Sequence, residues 1–234
     1  MPAYERSSAN AIRIIDRWDD DFGWVAHPDE TGQRASHAIN GDDGVWVVDP
    51  VDAPRLDDHL AELGEVGGVA VLCSYHARDA EAVANRHDVS VHIPQWMNRI
   101  PEQVDAQIER YDTRLGESGF EIYRYEPLRL WQEAVAYRDT DGTLIIPDLL
   151  GSGPGYTVGD ERVGVVLSHR LVPPRETLGD LTPERILFGH GEGVFADAGT
   201  ALDTALSGAR KRFPQALLTQ FGTNLRLFAA AITD

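Results

Sequence analysis

The sequence predicts an α/β protein, and three observations support this class. Short apolar runs typical of buried strands recur along most of the chain. Residues 44–93 alternate strand, helix, strand, helix and strand, a pattern typical of parallel strands joined by right-handed crossovers. Helical patterns then dominate from residue 196 onward. With 234 residues the chain can bury a sizeable core, and we expect residues 1–234 to form a single domain.

The first half of the chain is predicted to begin with strands and to continue with alternating elements. The turn-forming run Asn40-Gly41-Asp42-Asp43-Gly44 predicts a β-hairpin between two apolar segments. Apolar residues at helical spacing, and an acidic residue near one N-terminus, predict two helices after it. The predicted strands are residues 11–15, 24–26, 44–49, 67–73 and 89–93, and the predicted helices are residues 54–63 and 79–86.

In the second half, the pattern changes from strands to helices. Residues 100–115 suit a polar surface helix. Further strands are predicted at residues 120–125, 130–137, 143–148, 163–167 and 186–188. Two C-terminal helices, residues 196–212 and 216–232, are predicted to be separated by Pro214, because proline disrupts a helix interior.

The charge of the chain is strongly acidic. It carries 38 acidic and 21 basic residues, for a formal net charge of −17, and Lys211 is its only lysine. Such self-repulsion is screened in molar salt, so we interpret the composition as that of a halophilic protein. An acidic protein from a GC-rich genome is the alternative. A negative surface argues against nucleic acid and anionic membranes as partners, since both require clustered Lys and Arg.

The cysteine count and the hydropathy of the chain limit the cellular compartments in which we expect the protein. Cys73 is the only cysteine, which excludes an internal disulfide and a cysteine-based zinc cluster. No apolar run reaches the length of about 20 residues that spans a bilayer. The polar residues 1–10 lack the apolar stretch of a signal peptide. We therefore expect a cytoplasmic protein, and the sequence leaves its oligomeric state open.

Polar residues follow three of the predicted buried strands, where functional groups collect in α/β folds. These are the segment from Ser74 to Asp79, then Asp148, and then His190. Each has a plain structural alternative: Asp79 as a helix cap, His76 as an exposed loop residue and Asp148 as a turn residue. The glycines that flank His190 allow close backbone approach, which favours a functional role for this histidine.

The segments VWVVD, VLCSYHARDA, LIIPD and ILFGHG, which end near residues 49, 80, 148 and 191, resemble the metallo-β-lactamase superfamily, in its glyoxalase-II-like hydrolase branch. The resemblance covers about residues 12–208. It implies an αββα sandwich of two mixed β-sheets flanked by helices. In this family a strand is followed by the metal motif H-x-H-x-D-H, and later strands end in a bridging Asp and in Gly-His.

The chain departs from that motif. If Asp79 is the motif's Asp, the three histidine positions hold Tyr75, Ala77 and Ala80, and His76 lies one residue out of register. The middle histidine of the family, usually found before the bridging Asp, has no counterpart. Its nearest residues in this sequence are Gln132 and Glu133. The resemblance therefore implies a degenerate metal site.

The remaining residues define the candidate site. Metal ligands implied by the resemblance are Asp79, Asp148, His190 and His76, with His190 and Asp148 as catalytic residues; Tyr75, Gln132 and Glu133 are candidates for substrate binding.

Three functions remain open at this stage. The first is a non-catalytic member that binds a small-molecule ligand. The alternative is a mononuclear metal-dependent hydrolase of a small ester or thioester, using one divalent ion such as zinc, manganese or iron. A metal-free enzyme with His190 or His76 as general base is the third.

Overall fold

The structure is a computed structural model that describes residues 1–127 and 131–232. Within those residues, seven strands form the first sheet in chain order. Apolar segments flanked by turn residues account for most of them. They are β1 (Arg13–Trp18), β2 (Asp21–Val25), β3 (Ala35–Gly41), β4 (Gly44–Val48), β5 (Val66–Ala70), β6 (Val91–Pro94) and β7 (Ile108–Tyr111).

This first sheet is antiparallel from β1 to β4 and parallel from β4 to β7. The predicted hairpin is confirmed, because Gly41 pairs with Gly44 and the two aspartates between them form the loop. Helix α1 (Leu56–Leu63) connects β4 to β5, and helix α2 (Ala80–His87) connects β5 to β6. Both helices follow the predicted strand-helix alternation, which requires crossovers between parallel strands.

The second sheet, as far as the structure describes it, contains four strands. In spatial order they are β13 (Arg185–Phe188), β10 (Thr143–Ile146), β9 (Glu133–Arg138) and β8 (Glu121–Tyr125). Only the β10–β13 pair is parallel. The short strands β11 (Leu150–Gly151) and β12 (Gly164–Val165) pair beside it, followed by α3 (Arg175–Leu178) and the long helix α4 (Ala198–Ile232). The predicted strand at residues 130–137 begins outside the described residues.

Three apolar clusters among the described residues define the layers. One lies between the sheets and includes Trp46, Leu72 and Ile145. A second lies between the first sheet and helices α1 and α2, and the third between the second sheet and helices α3 and α4. Helix, sheet, sheet and helix therefore follow one another, as expected for an αββα sandwich.

The prediction of a helix at residues 100–115 is wrong. This segment forms a short 3-10 turn, Ile100–Glu102, and then strand β7, which pairs in parallel with β6. The polar residues of the segment suit a surface position whether it forms a helix or a strand. The free edge of β6 decides between them, because pairing there satisfies backbone groups that would otherwise lose partners.

The prediction of two C-terminal helices is also wrong. Helix α4 continues through Pro214, although a proline inside a helix removes one backbone hydrogen bond. Ala209 and Ala216, on either side of the proline, are both completely buried. Burial of both halves against the same body compensates the lost bond and keeps the helix continuous. In the described part of the chain, no helix is both long and apolar enough to cross a membrane.

Candidate functional site

The ends of strands from both sheets bring a set of polar residues together. Asp49 follows β4 and Cys73 follows β5, whereas Asp148 follows β10 and His190 follows β13. His76 lies in the loop after Cys73. All five residues are buried. The site thus forms at an edge of the sandwich where carboxyl ends of strands meet, which is the position expected for functional groups in such folds.

Asp148 is the centre of this cluster. Its Oδ1 atom lies 3.2 Å from Nε2 of His76 and 3.0 Å from Nε2 of His190. Its Oδ2 atom accepts a hydrogen bond from the Cys73 thiol at 3.0 Å. The structure therefore brings the predicted residues His76, Asp148 and His190 together, and Cys73 joins them.

The two histidines are oriented by their outer nitrogen atoms. Nδ1 of His76 lies 2.8 Å from Oδ2 of Asp49, and Nδ1 of His190 lies 2.6 Å from the carbonyl oxygen of Gly32. Each Nδ1–H thus donates to an oxygen acceptor. This arrangement turns both Nε2 atoms toward Asp148, as it does for histidines that bind a metal ion.

Glycine at position 189 permits this packing. A Cβ atom there would lie 2.4 Å from the carbonyl oxygen of Pro147 and 2.9 Å from Cε1 of His76. Any other side chain would displace the His76 ring or the backbone. The glycine before His190 therefore serves the close approach that the sequence indicated.

Opposite charges stabilise the ionised forms of His76 and Asp148 in the cluster. Burial and the nearby Arg78 both lower the pKa of His76, but Asp148 and Asp49 outweigh them and raise it to about 8. Burial would raise the pKa of Asp148, yet His76 and His190 hold it well below its usual range. Burial raises the pKa of the Cys73 thiol, and the Asp148 charge raises it further. Without a bound cation, the cluster thus contains an imidazolium, a carboxylate and a neutral thiol.

Arg78 places a second positive charge against the cluster. Its Nη1 donates to the carbonyl oxygens of Ala35 (2.7 Å) and Asp49 (2.8 Å), and its Nη2 donates to that of Gly189 at 3.1 Å. The same Nη2 lies 3.3 Å from Nε2 of His76. Arg78 has a left-handed backbone, with φ of 42°, which is uncommon for a residue other than glycine. This backbone conformation turns the guanidinium toward the cluster.

Asp79 makes its contacts outside this cluster. Its Oδ2 accepts a hydrogen bond from the backbone N–H of Asp52 at 2.8 Å, and it makes no side-chain cap on α2. Since His76 and Arg78 face the cluster instead, the geometry favours a motif register one residue earlier. In that register Ser74, His76 and Arg78 stand at the first His, second His and Asp positions of H-x-H-x-D-H.

Glu133 supports the backbone that carries Asp148. Its Oε1 accepts hydrogen bonds from the backbone N–H groups of Asp148 and Leu149, both at 3.0 Å, and its Oε2 accepts one from Trp131 at 3.0 Å. Burial and the Asp148 charge raise the pKa of Glu133 to about 8. These contacts position the loop, and a role of Glu133 in substrate binding stays a prediction.

Gln132 and Tyr75, the other predicted substrate-binding residues, also have protein partners. Gln132 donates to the carbonyl oxygen of Trp96 and accepts from the N–H of Asn98 at 3.1 Å. The guanidinium of Arg99 lies 4.6 Å from the centre of the Tyr75 ring. Both residues thus connect loops around the cluster, and their predicted contact with a substrate is untested.

Two cavities adjoin the cluster in the described part of the chain. The cavity at His76, Asp148 and His190 has a volume of about 10 Å³, which is enough for about one water molecule. Tyr4 covers it and stacks on His190, with ring centres 6.1 Å apart. A larger cleft of about 800 Å³ lies on the other side of Arg78. Arg78 and Tyr75 line both spaces.

Sequence reasoning missed four residues of this site: Asp49, Cys73, Arg78 and Tyr4. Asp49 was recognised only as the end of a strand, and Cys73 only as a lone thiol. Each of these two directly follows a predicted strand or ends it, which is the signal that could have identified them. Nothing in the local pattern distinguishes Tyr4, because its contact with His190 joins distant parts of the chain.

The donor set suits one metal ion better than two. Cys73, His76 and Asp148 form a group that could hold a metal ion, since their ligand atoms lie within 4.8 Å of one another. In tetrahedral coordination with bonds of about 2.0–2.1 Å, ligand atoms lie about 3.3 Å apart. The distance of 3.2 Å from Asp148 Oδ1 to Nε2 of His76 is close to this value. His190 lies outside this group of three, although its Nε2 atom is 3.0 Å from the same carboxylate oxygen. The Arg78 guanidinium, by contrast, adds a positive charge beside His76, which would repel a second ion.

Comparisons with known proteins give matches in structure alone. No protein-family model matches the chain, and no curated protein matches it. The DIM-1 metallo-β-lactamase exposed to ceftazidime has a TM-score of 0.63 and 12% identity, covering 88% of this chain and 99% of its own. TMB-1 has a TM-score of 0.63 and 14% identity, and the match covers 86% of this chain and 98% of TMB-1. The metallo-β-lactamase from Hirschia baltica has a TM-score of 0.55 and 12% identity, and the match covers 86% of this chain and 98% of that protein.

These matches span nearly the whole length of each solved structure, with the sheet and helix layers described above. At such low identity they concern the fold, and the assignment to the glyoxalase-II-like branch stays a prediction. Together with the layer order, they show that this chain has the metallo-β-lactamase fold.

Proposed function

We propose that this chain binds one divalent metal ion between Cys73, His76, Asp148 and His190. The observation that carries the proposal is the orientation of both histidines. An oxygen acceptor at each Nδ1 fixes the ring so that each Nε2 faces Asp148, and histidines that bind a metal ion are usually held by such an outer acceptor. A mixed set of sulfur, nitrogen and oxygen donors suits zinc, and manganese or iron are the other candidates.

We further propose that the protein is non-catalytic, with a small-molecule ligand binding in the larger cleft. Four protein ligands would fill a tetrahedral shell, as in structural zinc sites, whereas catalytic sites keep one position open. The cavity beside the cluster admits about one water molecule and no substrate. Tyr4 covers this cavity, and Arg78 and Tyr75, which line both spaces, stand between the cluster and the cleft where a ligand could enter.

A mononuclear hydrolase of a small ester or thioester is the second candidate. It is favoured by the water-sized cavity at Asp148 and His190. The segment carrying Tyr4 is held by backbone hydrogen bonds from Thr31 and Gly32 to Pro2 and Ala3. A bound divalent ion lowers the pKa of its water toward about 7, which supplies a nucleophile for hydrolysis. Tyr4 would have to move before a substrate could reach the site.

Metal content measured on the purified protein tests the metal site. We expect about one zinc per chain after addition of Zn²⁺ and removal of excess. Saturation at about 100 times Kd should stabilise the fold by about 2.7 kcal/mol, or about 5–10 °C in Tm for a chain of this size. The His190→Ala variant should lose both effects. The matched control is His87→Ala at the end of α2, where the half-buried His87 lies 3.0 Å from Asp57.

Two outcomes would contradict the proposals separately. Less than about a tenth of a metal per chain, unchanged by added Zn²⁺ or Mn²⁺, would exclude the metal site, because a working site is nearly stoichiometric. Metal-dependent hydrolysis of simple aryl esters or thioesters, lost in His190→Ala and kept in His87→Ala, would instead exclude the non-catalytic assignment and favour the second candidate.

A further inference from the structure

The C-terminal half of α4 exposes a continuous apolar stripe. Single exposed apolar residues are common on protein surfaces, but a contiguous group of large ones indicates an interaction site. Its side chains are between 41% and 87% exposed, and they are Leu217, Leu218, Phe221, Leu225 and Phe228. We call these five residues the α4 stripe.

A neighbouring face of the same half-helix is fixed to the body of the protein. Gln220 donates to the carbonyl oxygen of Thr157, and Asn224 donates to that of Gly155 at 3.0 Å. Leu227 is buried on this side. The α4 stripe is therefore presented outward by an anchored helix, and it is not the inner face of a helix that has failed to dock.

The spacing of the stripe indicates another helix as its partner. Leu218, Phe221, Leu225 and Phe228 follow one another at intervals of three, four and three residues. This is the a/d pattern of a coiled-coil seam, which packs against the same pattern on a facing helix. Gly222 and Ala229 beside the seam are small and exposed, and small residues let two helices approach closely. A helix of the same sequence meets all these requirements.

Charge also favours a second copy of this chain. Arg226 is the only charged residue between positions 213 and 232, although the whole chain carries a formal charge of −17. The stripe is thus a neutral region on an acidic protein, so two copies can meet there with little local repulsion. The remaining repulsion between the acidic surfaces falls as salt screens it.

The area of the stripe matches what a small dimer interface requires. Large apolar side chains carry about 150–250 Å² each, so five of them at these exposures present about 500 Å². Pairing two copies would bury about 1,000 Å² in total, which is the lower bound for a specific interface. We propose that the protein forms a two-fold symmetric homodimer through the α4 stripe.

The oligomeric state of the full chain tests this proposal. Light scattering coupled to size exclusion, at about 10–100 µM protein in low and in molar NaCl, should give twice the chain mass of 25.8 kDa. The dimer fraction should rise with salt. The double variant Phe221→Glu/Leu225→Glu should elute as a monomer with an unchanged circular dichroism spectrum. The matched control Val172→Glu, at an exposed apolar residue outside α4, should remain dimeric.

Several outcomes would overturn the proposal. A wild-type mass of one chain at every salt and protein concentration would do so, as would a dimer that persists in the double variant. The wild type could instead be a monomer that co-sediments with phosphatidylcholine vesicles. If the double variant does not co-sediment, a membrane surface is the partner and the dimer proposal is wrong. If the double variant misfolds, Leu225→Cys provides a second measurement. It should form an intermolecular disulfide on oxidation, whereas the buried Cys73 of the wild type should not.

Discussion

Replacing Arg78 tests the idea that its guanidinium opposes metal binding at the cluster. Nη2 of Arg78 lies 3.3 Å from Nε2 of His76, so an ion bound about 2 Å from that nitrogen would lie at most about 5 Å from the guanidinium. At that distance a divalent ion and a unit charge repel by about 2 kcal/mol in a water-like dielectric and by about 7 kcal/mol at an effective dielectric of about 20. Since Arg78 borders a solvent-filled cleft, we expect the lower value to apply.

We therefore expect Arg78→Met to bind zinc at least tenfold more tightly than Arg78→Lys. Both variants lose the guanidinium that donates to the carbonyl oxygens of Ala35, Asp49 and Gly189, but only the methionine removes the charge. Each metal-free variant should be less stable than the wild type by about 2–4 kcal/mol, because buried carbonyl groups lose their donors.

Competition with a chromophoric chelator would measure the zinc affinity, and urea unfolding would measure the stability. Equal affinity of the two variants would refute the electrostatic argument, because the lysine keeps the positive charge that the methionine removes. A weaker affinity of both, relative to the wild type, would show instead that Arg78 acts by holding the loop around His76.

Three further predictions concern single residues. Burial raises the pKa of Asp16 from 3.8 to about 6, so the contribution of Asp16 to the free energy of unfolding is favourable below pH 4 and is lost as the pH rises through 6. The variant Asp16→Asn keeps an acceptor for the N–H of Gly193. Between pH 4 and pH 8 its stability in urea unfolding should gain about 2 kcal/mol relative to the wild type. Burial lowers the pKa of His37 to about 4, so its contribution to stability is present above pH 6.5 and is lost toward pH 4. Between pH 7 and pH 4.5 the free energy of unfolding of the wild type should fall by about 2–3 kcal/mol more than that of His37→Gln. Equal losses would contradict the burial of His37 in its neutral form. Protein loaded with Co²⁺ should show a near-ultraviolet thiolate-to-cobalt absorption that Cys73→Ser lacks, and its absence in the wild type would exclude Cys73 from the ligand set.

The sequence pattern predicted most of the regular elements because their signals are local. The Asn40–Gly44 hairpin and the parallel strands joined by α1 and α2 follow from turn residues and periodicity within a few positions. The pattern failed at residues 100–115 and at Pro214. In both places a neighbouring element decides the outcome, as the free edge of β6 pairs with β7 and the protein body supports α4 on either side of its proline.

The candidate site was predictable in part. His76, Asp148 and His190 were recognised because each follows a buried strand, and the structure brings their side chains together. Asp79 was chosen over Arg78 because the family motif was aligned on its aspartate. The positive φ of Arg78 changes the direction of the loop there, and no residue pattern in the segment encodes it.

The sequence by itself determined the α/β class, the acidic charge and the supply of imidazole and carboxylate groups at strand ends, because each depends on composition or on near neighbours. Only the tertiary structure decided that Asp49 orients His76, that Cys73 joins Asp148, and that the guanidinium of Arg78 lies beside His76. These contacts join the ends of strands from two different sheets. Their distances are therefore set by how the sheets pack and twist, which a one-dimensional pattern does not contain.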